Sequence, residues 1–277
     1  MIMVRSHPHV VSVVAAFALL AASASTTGAK PLNQVVATVS IVLQLKAGAV
    51  IGSASGFFYT RNDDLFLVTN DHVVRNEKEG ILPDALRLRL HTTPTDLTQN
   101  GEVDIPLYQD GKPVWRIHAT QPQADVALIR LNKDDLQRRF FIRAWSKQSF
   151  LPQNYPLHPG EDIFIMGYPL AFHDTQHNLP IFRNAMIASS YRVPFRDMPL
   201  FLTDANLHPG TSGSPVITKP KSAWVDDQGN TNFLTGTVYY LLGVHSGTID
   251  PSITGGKQIG LGAAWYIELV EEIAAQF

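Results

Sequence analysis

Apolar positions along this chain fall in short runs or alternate with polar ones, a spacing that predicts β-strands rather than long helices. Residues 35–45 (VVATVSIVLQL) are largely β-branched and predict a first strand. Residues 57–59 and 65–69 predict two more, joined as a hairpin by Arg61-Asn62-Asp63-Asp64. The stretch before them, Gly52-Ser53-Ala54-Ser55-Gly56, predicts a turn-rich break. Residues 85–90 (ALRLRL) alternate apolar and basic side chains, as a half-exposed strand does, and residues 114–118 and 125–131 predict further strands. Residues 132–160 are less regular, with a short helix expected over 134–141 and then a crossing that carries Pro152, Pro156 and Pro159.

A second group of strands is predicted over residues 163–166, 181–190, 201–203, 215–217, 238–244 and 259–264, with a polar loop over 219–232. From Tyr266 to Phe277 the apolar residues take helical spacing, so a terminal helix should pack one face on the body. Many short strands, a midway crossing and one closing helix suggest two small β-barrels side by side.

The first 24 residues read differently. Arg5 lies in a short polar lead, residues 10–22 are uncharged and apolar, and Ala22-Ser23-Ala24 is a small-x-small pattern. That is the layout of a secretory signal peptide, and the apolar run is too short for a comfortable span of a bilayer. Export to a periplasm or the medium, with cleavage near Ala24, is expected, as is the absence of a membrane span in the mature chain.

Composition narrows the chemistry. In 277 residues there are no cysteines, which removes disulfides, thiolate metal sites and cysteine nucleophiles. A formal net charge of −2 gives no electrostatic case for nucleic acid as a partner. Hydrophobic residues at 45% against 17% charged argue for a folded core. Nothing in the sequence fixes an oligomeric state.

Three segments carry candidate chemistry. His208-Pro209-Gly210-Thr211-Ser212-Gly213-Ser214-Pro215 sets a serine between glycines, where backbone N–H groups can converge on one point, although an ordinary Gly/Ser/Pro loop has the same composition. A serine hydroxyl needs a base. His72, just after the apolar strand that ends at Thr69, is the best placed of the ten histidines, and a packed or surface histidine is the plain alternative. Asp125 heads the apolar run Val126-Ala127-Leu128-Ile129, where a buried carboxylate needs a partner; a turn-capping aspartate is the alternative there. His173 and His177, four apart, have a metal-binding spacing on a helix, but Pro169 and Pro180 flank them and no third ligand is evident, so no metal is expected.

Taken in order, T-x-x-H-V-V, A-D-V-A-L-I and P-G-T-S-G-S-P resemble the chymotrypsin/trypsin-like serine endopeptidases, most closely their HtrA-type exported bacterial branch. Gly52 to Phe57, Gly167-Tyr168-Pro169, residues 202–210, Leu242-Gly243-Val244-His245-Ser246-Gly247 and Gly260-Leu261-Gly262 are similar to that branch as well. The resemblance implies an all-β fold, a double six-stranded antiparallel β-barrel with a C-terminal helix. Residues 32–145 would form the first barrel, with His72 and Asp125, and residues 146–277 the second, with Ser212. It implies a Ser-His-Asp triad acting on polypeptide substrates through an acyl-enzyme, with the N–H groups of Gly210 and Ser212 as oxyanion hole and no cofactor. Asn206 would form the floor of the specificity pocket, with His245, Ser246 and Gly247 along the substrate strand and pocket wall. Small or medium uncharged residues before the cut bond are then expected.

Two positions depart from the family pattern. Thr211 stands where an Asn or Asp is usual and cannot pair with a freshly cut N-terminus, so no activation of that kind is expected. Ser214 replaces a usual glycine. The short distance from the last strand to Phe277 leaves no room there for a PDZ module, so none is expected. An inactive binding or chaperone-like scaffold and a serine esterase are the alternatives. The His, Asp, Ser order and the missing final glycine of G-x-S-x-G weigh against the esterase.

Overall fold

The computed structural model describes residues 34–249, 252 and 255–277. The expected signal peptide, residues 1–24, lies outside the described residues. Strands dominate, as the sequence predicts. The first group comprises β1 (Val39–Lys46), β2 (Ala49–Arg61), β3 (Asp64–Thr69), β4 (Ala85–His91), β5 (Asn100–Pro106), β6 (Tyr108–Gln109), β7 (Lys112–Pro113), β8 (Trp115–Arg116) and β9 (Ala127–Leu131). Helix α1 (Asp71–Val74) follows β3, and α2 (Lys133–Arg139) follows β9. The second group comprises β10 (Asp162–Gly167), β11 (Ile181–Ile187), β12 (Leu200–Asp204), β13 (Pro215–Thr218), β14 (Lys221–Val225), β15 (Thr231–Val238), β16 (Leu241–Thr248) and β17 (Leu261–Tyr266), closed by α3 (Glu268–Ala274).

Seven strands of the first group make one curled antiparallel sheet in the order β5-β4-β1-β2-β3-β9-β8. In the second group β10-β11-β12-β17-β16-β13 close into a six-stranded barrel. Each sheet has its own apolar interior. Phe58, Leu67, Leu88 and Ile129 pack inside the first, and Ile163, Phe201, Val216 and Leu242 inside the second. A third cluster, with Phe57, Tyr59 and Val68 on one side and Met166, Tyr168 and Ile217 on the other, joins the two units. Helix α3 adds Val270 and Ile273 to it. Full burial of one such side chain contributes about 1.5–3 kcal/mol. Glu271 of the same helix accepts from the Tyr59 hydroxyl at 2.6 Å and from Arg61 at 3.1 Å, tying the chain's end to β2.

Two local expectations are revised. Residues 52–56 are not a break: β2 runs unbroken through them. The glycines serve close approach instead, since a Cβ on Gly56 would lie 2.9 Å from Leu67 Cδ1 and 3.0 Å from the Val68 carbonyl. The polar stretch 219–232 is also not a simple loop. Lys221 to Val225 pairs with residues 231–238 as a projecting hairpin whose turn is knitted by Asp226. One wet face hides a strand from a reading that seeks apolar runs.

Candidate functional site

The site lies where β2, β3 and β16 converge on the turn that carries Ser212. That turn needs its glycines. Gly210 has φ of +93° and Gly213 of +82°, the left-handed region. A Cβ on Gly210 would lie 2.6 Å from the Tyr168 carbonyl, and one on Gly213 2.2 Å from the Ser55 carbonyl. Thr211 is buried and turns its hydroxyl inward, donating to the His208 carbonyl at 2.8 Å. The Ser214 side chain occupies the space that Gly167 leaves by having none, so the turn accommodates it.

Ser55, a residue the sequence offered only as part of a glycine-rich stretch, clamps this turn from the first sheet. Its N–H donates to the Ser212 carbonyl at 2.8 Å and its hydroxyl to the Gly210 carbonyl at 2.8 Å. It also accepts from the Tyr168 N–H at 2.9 Å, and its own carbonyl takes the Thr69 hydroxyl at 2.9 Å. Apart from the Thr69 contact, these bonds run between elements far apart in sequence, which is why no local motif announces the residue.

His72 sits in the short helix α1, directly after the buried strand β3. Asn70, at the helix N-cap position, does not cap with its side chain; its amide donates to the Asp125 carbonyl at 2.6 Å. Asp125 in turn accepts the His72 backbone N–H on Oδ1 at 3.0 Å and faces His72 Nδ1 with Oδ2 at 2.7 Å. A third donor, the Ser246 hydroxyl, reaches Oδ2 at 2.6 Å. Burial pushes the Asp125 carboxyl up, but hydrogen bonds from His72 and Ser246 and the nearby imidazole charge outweigh it and hold the group below its usual range. Burial likewise pulls His72 down, and the Asp125 carboxylate more than reverses that, so the imidazole lies above its ordinary value.

The structure therefore brings His72 and Asp125 into contact and links Ser212 to Asp125 through Ser246. The Ser212 hydroxyl donates to the Ser246 carbonyl at 3.1 Å and makes no hydrogen bond to His72 in this conformation. Ser246 thus touches both Ser212 and Asp125. A bulge in the pairing of β16 with β17, between His245 and Gly247, turns it that way. The N–H groups of Gly210 and Ser212 donate to no backbone carbonyl among the described residues.

Of the residues expected to contact substrate, His245 is buried, Ser246 and Gly247 are half-buried and Asn206 is exposed, its carbonyl taken by Arg183. His173 and His177 part company: one ring bonds the Ala171 carbonyl and the other Asp174. No group of three potential metal ligands occurs among the described residues.

Comparison with known proteins accords with this geometry. Residues 54–224, more than half of the chain, match the sequence family described as a trypsin-like peptidase domain. The chain belongs to that family. No curated protein sequence matches it. Among solved structures, the trypsin-like fold is shared with the HtrA-type protease AlgW bound to a tripeptide, at 16% identity and a TM-score of 0.50, and with the serine endoprotease from Yersinia pestis, at 15% and 0.51. The alignments cover 87% of this chain in both cases but 60% and 62% of those proteins. This chain thus spans about three fifths of their length. Among the described residues no helix is long and apolar enough to cross a membrane.

Proposed function

We propose that the protein is an exported serine endopeptidase that cleaves peptide bonds through a Ser212–His72–Asp125 triad. The observation that carries this reading is the fixing of His72 by Asp125, through both its Nδ1 and its backbone N–H, beside a glycine-flanked serine. Asp125 selects the tautomer in which Nδ1 carries the proton, leaving the Nε2 lone pair for the Ser212 hydroxyl. To engage it the Ser212 hydroxyl leaves the Ser246 carbonyl, since such bonds often form only when substrate is bound. Ser212 Oγ then attacks the peptide carbonyl, His72 takes the proton and passes it to the leaving amine, and water hydrolyses the acyl-enzyme.

The N–H groups of Gly210 and Ser212 serve as the oxyanion hole; loss of one such donor typically costs about 3 kcal/mol of transition-state stabilisation. In this reading the first unit, residues 32–145, supplies base and carboxylate, and the second, residues 146–277, supplies the nucleophile. Export rests on the leader pattern of residues 1–24. The test is casein hydrolysis by wild type and Ser212→Ala, with a fluorophosphonate label on Ser212. Cleavage and labelling by wild type alone are expected. Labelling without cleavage of any polypeptide would leave the esterase reading, and neither would leave the scaffold.

A further inference from the structure

Next to the serine turn lies a buried titratable side chain for which the proposed chemistry has no task. His245 is 1% exposed, and its backbone brackets the turn: its N–H donates to the Ser214 carbonyl and its carbonyl accepts the Gly213 N–H, both at 2.9 Å. Its ring faces the Ala263 carbonyl. Nδ1 has no partner among the described residues, and in the tautomer that carries its proton on Nε2 it presents a lone pair. Thr203 Oγ1 is likewise buried and without a partner among the described residues.

The two side chains approach each other across Gly262. Thr203 pairs in register with Gly262, and His245 with Ala264 two residues along the same strand β17. A Cβ on Gly262 would lie 2.9 Å from Thr203 Oγ1, 3.3 Å from His245 Cε1 and 3.4 Å from the Gly247 carbonyl. Buried polar groups are ordinarily bonded, and two unpaired ones on either side of Gly262, one of them on a residue that brackets the serine turn, point to a ligand that supplies the missing bonds.

We propose that Thr203 and His245 form the floor of the subsite for the residue preceding the cut bond, and that this subsite takes a side chain ending in a carboxamide, glutamine or asparagine. The inference rests on Ser212 being the nucleophile. A carboxamide N–H donates to the Nδ1 lone pair, and its carbonyl accepts from the Thr203 hydroxyl, so both orphaned atoms are satisfied at once. An aliphatic side chain leaves both unpaired. A carboxylate needs a positive charge, and burial together with neighbouring His72 brings His245 down to about 4, so the ring is neutral. The charged and titratable groups around it are Asp125 and His72 across the cleft and Asp204, which is exposed on β12; the Arg183 guanidinium is engaged by the Asn206 carbonyl. None supplies a cation at the floor.

The test is a proteome-derived peptide library digested at about pH 8, with products read by mass spectrometry and Ser212→Ala as blank. Enrichment of glutamine and asparagine before the cut bond on the order of tenfold is expected, because a site built to bond a polar group rejects analogues that lack it. Matched Gln and Leu peptides should lose that difference with Thr203→Val, which removes only the hydroxyl. Cleavage after acidic residues as fast as after glutamine overturns the neutral acceptor, and cleavage mainly after apolar or basic residues overturns the subsite; both leave the peptidase reading standing. No Ser212-dependent cleavage at all overturns both.

Discussion

The Ser55 hydroxyl donates to the Gly210 carbonyl at 2.8 Å, so a side chain of the first sheet fixes the backbone of a turn in the second barrel. The same oxygen accepts the Tyr168 N–H at 2.9 Å. With Ser55→Ala, a buried carbonyl and a buried N–H each lose a partner. A loss of about 1–3 kcal/mol in stability by urea denaturation is expected. Because the backbone of the serine turn is then less firmly held, kcat should fall more than KM rises. An unchanged kcat would remove Ser55 from the positioning of that turn.

Ser55 also marks the limit of what local sequence encodes. The strands that lead up to His72 and away from Asp125 are legible because β3 and β9 are apolar runs, and the serine turn because glycine is required at its positive φ values. Both depend on residues close together in the chain. Ser55 and Asn70 act through bonds to partners 155 and 55 residues away, and their neighbours in sequence are unremarkable small or polar residues. From sequence alone Ser246 is expected only in a pocket wall. The bulge that aims it at Asp125 is a property of the β16–β17 register, which no period of apolar positions encodes. The hairpin over residues 221–238 was missed for the opposite reason, since most of its surface is wet and its pattern polar.

Gly213 tests the turn itself. A methyl group there meets the Ser55 carbonyl at 2.2 Å and the Thr69 hydroxyl at 2.5 Å, and φ of +82° is strained for any L side chain. The conflict is with backbone, which cannot swing aside. Gly213→Ala should lower the melting temperature and abolish fluorophosphonate labelling. Labelling at the wild-type rate would mean that the turn relaxes without moving Ser212.

Ser246→Ala separates its two contacts. The substitution removes the hydroxyl that donates to Asp125 at 2.6 Å but keeps the carbonyl that holds Ser212. A hydrogen bond to a charged group contributes about 1.5–3 kcal/mol. A fall in kcat/KM on the order of tenfold to a hundredfold is expected, with labelling retained. A variant as active as wild type would show that His72 and the Asn70 contact suffice to hold Asp125.

The pH profile follows from the His72–Asp125 pair. His72 works as a base only when neutral, so activity falls as pH drops through its folded-state pKa. Burial alone would move that value down and the acid limb with it. The Asp125 carboxylate, hydrogen-bonded at 2.7 Å, overrides burial and raises it, so the limb should lie above the pH of about 6.5 at which a free histidine titrates. Asp125 is held below its usual range, so it stays ionised throughout that window and does not add a second step. Asp125→Asn removes the raising charge while burial remains, and the amide also favours the wrong tautomer. Its acid limb should move below that of wild type while kcat drops on the order of 10⁴-fold. The measurement is kcat/KM on one peptide from pH 5 to 9 for both proteins. An acid limb that does not move, or activity in wild type that stays flat to pH 5, would mean that a group other than His72 takes the proton.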